Sequence, residues 1–183
     1  MNEIIKGGAY RLMYMAFNFA IGLLIAYLSG VELFGLISLM IVNASIFHIV
    51  SGLGTDSSIV WHGAKKSTSA DQLMTFTVTT ALFQILVFLI ISLSWFYFTG
   101  KSMLTGSTDF SIYLLELVYF TGLVWLEKYI SVLYANQMSL VCNRMILLII
   151  GVLFLILLPV YFGNNIFNLD SFTFFCFMPI VQA

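Results

Sequence analysis

The chain has 183 residues, of which 61% are hydrophobic and only 8% charged, with a formal net charge of −1. A soluble domain carries about 25% charged residues, and one of this size cannot hide so much apolar surface from water. The arithmetic excludes an ordinary soluble enzyme, a disordered chain and a nucleic-acid binder, which would need a basic patch. A membrane protein remains.

Apolar runs follow one another along the chain, separated by short polar breaks. They cover residues 12–28, 33–53, 73–98, 110–133 and 145–162, and a sixth opens at Phe172 and reaches Ala183. Each of the first five is long enough to cross a hydrocarbon core of about 30 Å as a helix. Barrel strands would be shorter, with polar alternation. The expectation is an all-α polytopic transmembrane helix bundle of five full spans plus the start of a sixth, forming a single lobe over 1–183. The sixth run is too short to span, so the sequence reads as truncated within a larger membrane fold.

The breaks carry helix-terminus chemistry. Ser69 with Gln72 three residues on is a capping box opening the third span. Asp109 precedes Phe110 as an N-cap, and Asp170 or Ser171 precedes Phe172 in the same way. With the N-terminus cytoplasmic, Lys6, Arg11, Lys65, Lys66 and Arg144 lie inside and Lys101 outside, with Lys128 set aside as intramembrane. That is a positive-inside bias. Cys142 and Cys176 have neither metal-ligand spacing nor partners for a disulfide framework. No metal, cofactor or catalytic set is expected, and the chain does not read as an enzyme.

Polar residues within spans are costly and face a cavity or a partner helix. In span one, Arg11, Asn18, Gly22 and Ser29 fall on one line. They form either a cavity-lining face with Arg11 placed to meet an anion, or a packing face with Arg11 snorkelling to headgroups. Span two carries Ser45, His48, Gly52 and Thr55 on one face, followed by Asp56. Asp56 is either an ion-coupling carboxylate or the cap of a short segment through Ser57 and Ser58. His48 is a group whose charge changes near neutral pH, or a helix–helix hydrogen-bonding residue. In span three, Thr77, Thr80 and Gln84 share a face. In span four, Glu116 and Glu127 lie three turns apart and point the same way, roughly 16 Å apart. They suggest an ion relay, a cation on another helix such as Arg11, or, in the plainer alternative, carboxylates in the headgroup zone. Lys128 adjoins Glu127 but points elsewhere, because neighbours on a helix diverge.

A first loop ending in Glu32-Leu33-Phe34-Gly35-Leu36 leads into span two. That span ends in Ser51-Gly52-Leu53-Gly54-Thr55-Asp56-Ser57-Ser58-Ile59-Val60-Trp61 and is followed by a basic loop with Lys65-Lys66. In this the chain resembles the amino-terminal lobe of the polysaccharide (O-antigen, Wzx-type) flippases of the multidrug/oligosaccharidyl-lipid/polysaccharide exporter superfamily. The resemblance implies two six-helix lobes around a central cavity. It implies translocation of an undecaprenyl-pyrophosphate-linked oligosaccharide across the bacterial inner membrane. Arg11 and Asn18 become candidates for the cationic cavity, and Asp56, Glu116 and Glu127 for ion coupling. The implied partners are the lipid-linked oligosaccharide, membrane lipids, a second lobe or second copy, and the polysaccharide polymerase machinery. The alternatives are a multidrug or small-solute exporter of the same architecture and a non-transporting membrane assembly partner.

Overall fold

A computed structural model of the protein describes residues 2–163. They form helices α1 (Asn2–Gly52), α2 (Thr55–Ala64), α3 (Ala70–Thr99), α4 (Phe110–Ala135) and α5 (Ser139–Gly163). Four of these, all but α2, are long and apolar enough to cross a membrane. Their most apolar windows are only 22–33% buried within the protein, so most of that greasy surface faces outward, as a lipid-solvated bundle requires.

The first two expected spans both lie in α1, on either side of Gly30. The candidate span Lys6–Gly52 has 47 residues, about 70 Å of helix at 1.5 Å per residue. That is more than twice a bilayer core of about 30 Å. Gly30 interrupts it with φ 76° and ψ 170°, a backbone region that only glycine occupies readily. The runs expected at 73–98, 110–133 and 145–162 are α3, α4 and α5, with α5 starting earlier, at Ser139. The sixth run at 172–183, with its caps Asp170 and Ser171, lies outside the described residues. The short helix α2 was not expected, because the stretch after Gly54 was read only as a capped segment.

Two caps form as read. Ser69 accepts from the Gln72 backbone N–H while Gln72 reaches back to the Ser69 N–H, both at 3.3 Å. Asp109 accepts from the Ser111 N–H at 2.8 Å. Helix α3 stops at Gly100, whose left-handed φ of 66° suits a C-cap.

The described residues divide into two compact units, one of residues 2–35 with 138–163, the other Leu36–Gln137. In the first, Arg144 Nε donates to Tyr10 Oη at 3.1 Å, and Phe17 meets Phe154 with ring centroids 5.4 Å apart. A Cβ on Gly7 would touch Asn143. Partners advance together along both chains, so the N-terminal arm of α1 and α5 run parallel.

In the second unit, Phe88 stacks on Phe120 at 4.0 Å, and Phe47 meets both rings edge-on at 5.2 and 5.4 Å. Met40, Ala44, Ala81, Leu104, Tyr119 and Val124 complete this buried core. Ladders of contacts fix direction here too. Phe47 and Ser51 pair with Phe88 and Gln84 in descending order, so the second arm of α1 runs antiparallel to α3. Phe47 meets Phe120 of α4, and Gly52 at the end of the arm borders the same cavity as Glu127, so that arm runs parallel to α4.

Candidate functional site

Within the second unit, the end of α1, the start of α2 and the C-terminal half of α4 converge on a charged cluster. Lys128 is fully buried. Its Nζ lies 2.7 Å from Asp56 Oδ1 and donates to Thr55 Oγ1 at 2.5 Å. The other Asp56 oxygen, Oδ2, lies 3.4 Å from His48 Nε2. Asp56 therefore holds a cation on one side and an imidazole on the other. Burial works to raise its carboxyl, but the hydrogen bonds from His48 and Lys128, with the Lys128 charge, outweigh it. The carboxyl sits below its ordinary value of 3.8.

Local structure explains why these groups meet. Leu53 and Gly54 both have left-handed φ, 46° and 75°, which ends α1 and restarts the chain as α2 one turn later. Gly54 leaves the α2 N-terminus without a side-chain cap. Asp56 in the first turn of α2 suits the positive end of that helix. Behind it, Gly63 of α2 lies so close to Ala135 of α4 that an added Cβ would sit 2.4 Å from the Ala135 Cβ. This small-on-small contact lets α2 lie against α4, bringing Asp56 to Lys128. From α3, Gln84 Nε2 donates to the His48 carbonyl at 3.2 Å and to Ser51 Oγ at 3.3 Å. That brace fixes the turn of α1 carrying His48.

The cluster borders a cavity of about 340 Å³ lined by Ser45, His48, Gly52, Asp56, Leu123 and Glu127, among others. Glu127 is half-buried and has no hydrogen bond or ion pair among the described residues. Two buried atoms, His48 Nδ1 and Gln84 Oε1, also lack a partner there. The face read as Ser45, His48, Gly52 and Thr55 does point inward. So do Thr77 and Gln84 of α3.

Glu116 belongs elsewhere. It is fully buried and accepts from the Leu104 and Thr105 backbone N–H groups at 3.3 and 2.9 Å and from Thr105 Oγ1 at 2.6 Å. It ties down the loop between α3 and α4. Asn43 assists from α1, its Nδ2 donating to the Leu104 carbonyl at 2.6 Å. Eleven residues of helix, roughly 16 Å, separate Glu116 from Glu127, so the two carboxylates share no site. Arg11 is exposed and Asn18 half-buried, both in the first unit.

The residue that sequence reasoning passed over is Lys128. It was set aside as intramembrane, and the cation sought for the carboxylates was Arg11. The available signal was the sign and depth of two charges. Asp56 follows the end of one span and Lys128 lies near the end of another that runs in the same direction, and each would be costly in lipid without the other. No family model, curated protein or solved structure matches the chain.

Proposed function

We propose that the protein is one transmembrane lobe of an exporter that flips an undecaprenyl-pyrophosphate-linked oligosaccharide, an O-antigen or similar repeat unit, to the periplasmic leaflet of the bacterial inner membrane. The observation that carries a transport reading is the Lys128–Asp56–His48 cluster beside Glu127 on a cavity. A buried ion pair contributes little net stability, and apolar residues of the same volume would hold the bundle as well. Charges kept at such a depth suit the coupling of cargo movement to an ion. The substrate class rests on the resemblance of residues 32–61 to the flippases. In this reading Arg11 and Asn18 meet the pyrophosphate, and Asp56 and Glu127 couple the ion. Glu116 serves as a loop anchor.

Five crossings fit the packing directions, and the positive-inside bias is what supports a cytoplasmic N-terminus. The N-terminal arm of α1 and α5 run parallel, so an odd number of crossings must separate them. Residues 31–52, α3 and α4 supply three. If α1 crossed only once, two would remain and α5 would run the other way. Lys6, Arg11, Lys65, Lys66 and Arg144 then share the cytoplasmic side.

The test is complementation of a flippase-null strain with the full-length gene. Surface polysaccharide should return, and Arg11→Ala should cut it at least about tenfold with normal membrane insertion. The second reading, a multidrug or small-solute exporter, is favoured by one feature: Glu127 leaves the cavity with a net negative charge that suits an organic cation. Drug resistance without restored polysaccharide would decide for it.

A further inference from the structure

We infer that a second cavity, between α2 and the start of α3, is a binding site for one membrane phospholipid with an anionic, phosphate-bearing headgroup. The cavity has a volume of about 310 Å³ and is lined by Ser58, His62, Thr68, Gln72, Leu73 and Phe76. It shares no lining residue with the cavity beside Asp56 and lies wholly within the second unit. The inference goes beyond the transport reading and stands or falls apart from it.

The turn between the two helices builds the polar end. Helix α2 ends at Ala64 and α3 begins at Ala70, so Lys65, Lys66, Ser67, Thr68 and Ser69 reverse the chain. Lys66 takes a left-handed φ of 50°, and its N–H donates to the Gly63 carbonyl at 3.0 Å. The Ser67 N–H donates to the His62 carbonyl at 3.2 Å, and Ser67 Oγ lies 3.0 Å from His62 Nδ1. These contacts fix the imidazole as one wall. The capping box fixes another. Gln72 Oε1 accepts from the Ser69 N–H, which leaves the Gln72 Nε2 amide as a donor. Neither that amide nor the Thr68 hydroxyl has a partner among the described residues.

Charge then selects an anion. No carboxylate lines the cavity. Lys65 and Lys66 stand in the same turn as Thr68, and neither makes an ion pair among the described residues. The Lys65 ammonium lies over the Trp61 ring, 4.0 Å from its centroid, and Lys66 is exposed. Asp71 adjoins Gln72, but neighbours on a helix point apart, and its charge suits the positive end of α3. Unpaired ammonium groups beside free O–H and N–H donors are what a phosphate oxygen accepts from.

The other end selects a lipid over a soluble phosphate. Leu73 and Phe76 form the apolar foot of the cavity, one turn further along α3 than Thr68 and Gln72. Phe76 is 44% exposed, and Phe83 and Ile90 follow it at seven-residue steps, each 57% exposed. Seven residues are two turns less about 20°, so the three lie on one line of the helix. The track from Phe76 to Ile90 is about 21 Å long, more than half of a hydrocarbon core of about 30 Å. A phosphate with an acyl chain beneath it fills both the polar end and the track, whereas a soluble anion leaves the track bare. Trp61 marks the depth. Its half-exposed ring is 4.7 Å from the His62 ring, and indole settles at the headgroup level of a bilayer.

The test uses Trp61 as its reporter and measures no transport. The chain has three tryptophans, and Trp95→Phe with Trp125→Phe leaves Trp61 alone. The full chain is placed in nanodiscs of phosphatidylcholine with a minor fraction of phosphatidylglycerol, and bromine quenchers are carried on the acyl chains of one lipid or the other. Per mole, brominated phosphatidylglycerol should quench Trp61 at least about fivefold more than brominated phosphatidylcholine, the enrichment that one lysine near a surface supplies. Thr68→Val, which removes a donor and no charge, should cut that preference at least about twofold. Lys66→Gln should remove most of it, while Lys65 stays in place because it covers the reporter ring. Circular dichroism is the folding control. The preference should persist at about 0.5 M sodium chloride, where the screening length is under about 5 Å. Loss of the preference in that salt, or a preference indifferent to Thr68→Val, reduces the site to a diffuse basic surface and overturns the inference. Equal quenching by the two lipids also overturns it, as does relief of quenching by inorganic phosphate, which would mark a site for a soluble anion.

Discussion

Lys128 and Asp56 show how two residues can be costly singly and tolerable together. Lys128→Met strands the Asp56 carboxylate, and breaking a fully buried pair costs about 3–5 kcal/mol. The Asp56 side chain is 31% exposed, so solvent screening brings the expected loss to about 2–3 kcal/mol. The double variant Lys128→Met/Asp56→Asn removes both charges and should return to within about 1 kcal/mol of the parent. Unfolding in mixed detergent micelles reads the cycle. A double variant as unstable as Lys128→Met would show that shape, and not charge, makes the contact. The pH dependence has a fixed sign. The folded Asp56 carboxyl lies below its ordinary value of 3.8, so the pair's contribution is complete above that pH and is lost as pH falls through the folded value. The stability gap between parent and Asp56→Asn should stay level near neutral pH and shrink below 3.8. The residue types here were legible in advance, since Asp56, Glu127 and His48 all stood out as polar positions in greasy segments. The pairing was not. It depends on how far α2 turns toward α4, and no spacing along one helix encodes that.

At the scale of elements, that turn depends on one glycine. Gly63 has the Ala135 Cβ 2.4 Å and the Leu73 Cδ2 3.1 Å from where its own Cβ would be, and the Ala135 atom is anchored directly to backbone. Gly63→Ala should push α2 off α4 and cost about 1–3 kcal/mol as overpacking, with loss of the Lys128–Asp56 contact. Gly22→Ala is the control, because a Cβ there meets nothing within 4 Å. It should be neutral or gain up to about 1 kcal/mol from helix propensity. Thermal unfolding of the two variants compares them, and equal behaviour would remove the close-contact argument. The helices themselves were well signalled. Ser69 with Gln72, and Asp109, mark starts because unpaired N–H groups at a helix end need an acceptor. What escaped was α2, ten residues long. Its mixed composition has little hydrophobic periodicity, and it exists as a helix through its contact with α4.

For the whole molecule, the question is how often the chain crosses. Run lengths alone give five spans, yet α1 is continuous enough to count once. Gly30 lies in the short gap between the runs 12–28 and 33–53, but its backbone angles were beyond the reach of composition. Side-selective labelling resolves the count. With Cys142 and Cys176 replaced by Ala, single cysteines at Ser67 and Ser107 should react from opposite faces. Asn2→Cys should react from the same face as Ser67→Cys. If Asn2→Cys reacted with Ser107→Cys instead, α1 would be one crossing and the parity argument would fail. The roles of Arg11 and Asn18 were the least legible, because they depend on what faces the first unit and not on its own helices.

The 72 residues that separate Asp56 from Lys128 along the chain also set an order of events at birth. A ribosome adding about 5–20 residues per second needs roughly 4 to 14 s to make that stretch. Through that interval Asp56 has been joined to the chain and its ammonium partner does not yet exist. His48, only eight residues upstream, has already been made. The imidazole that shares Asp56 in the finished bundle is thus also its first companion, before α4 arrives to complete the charge.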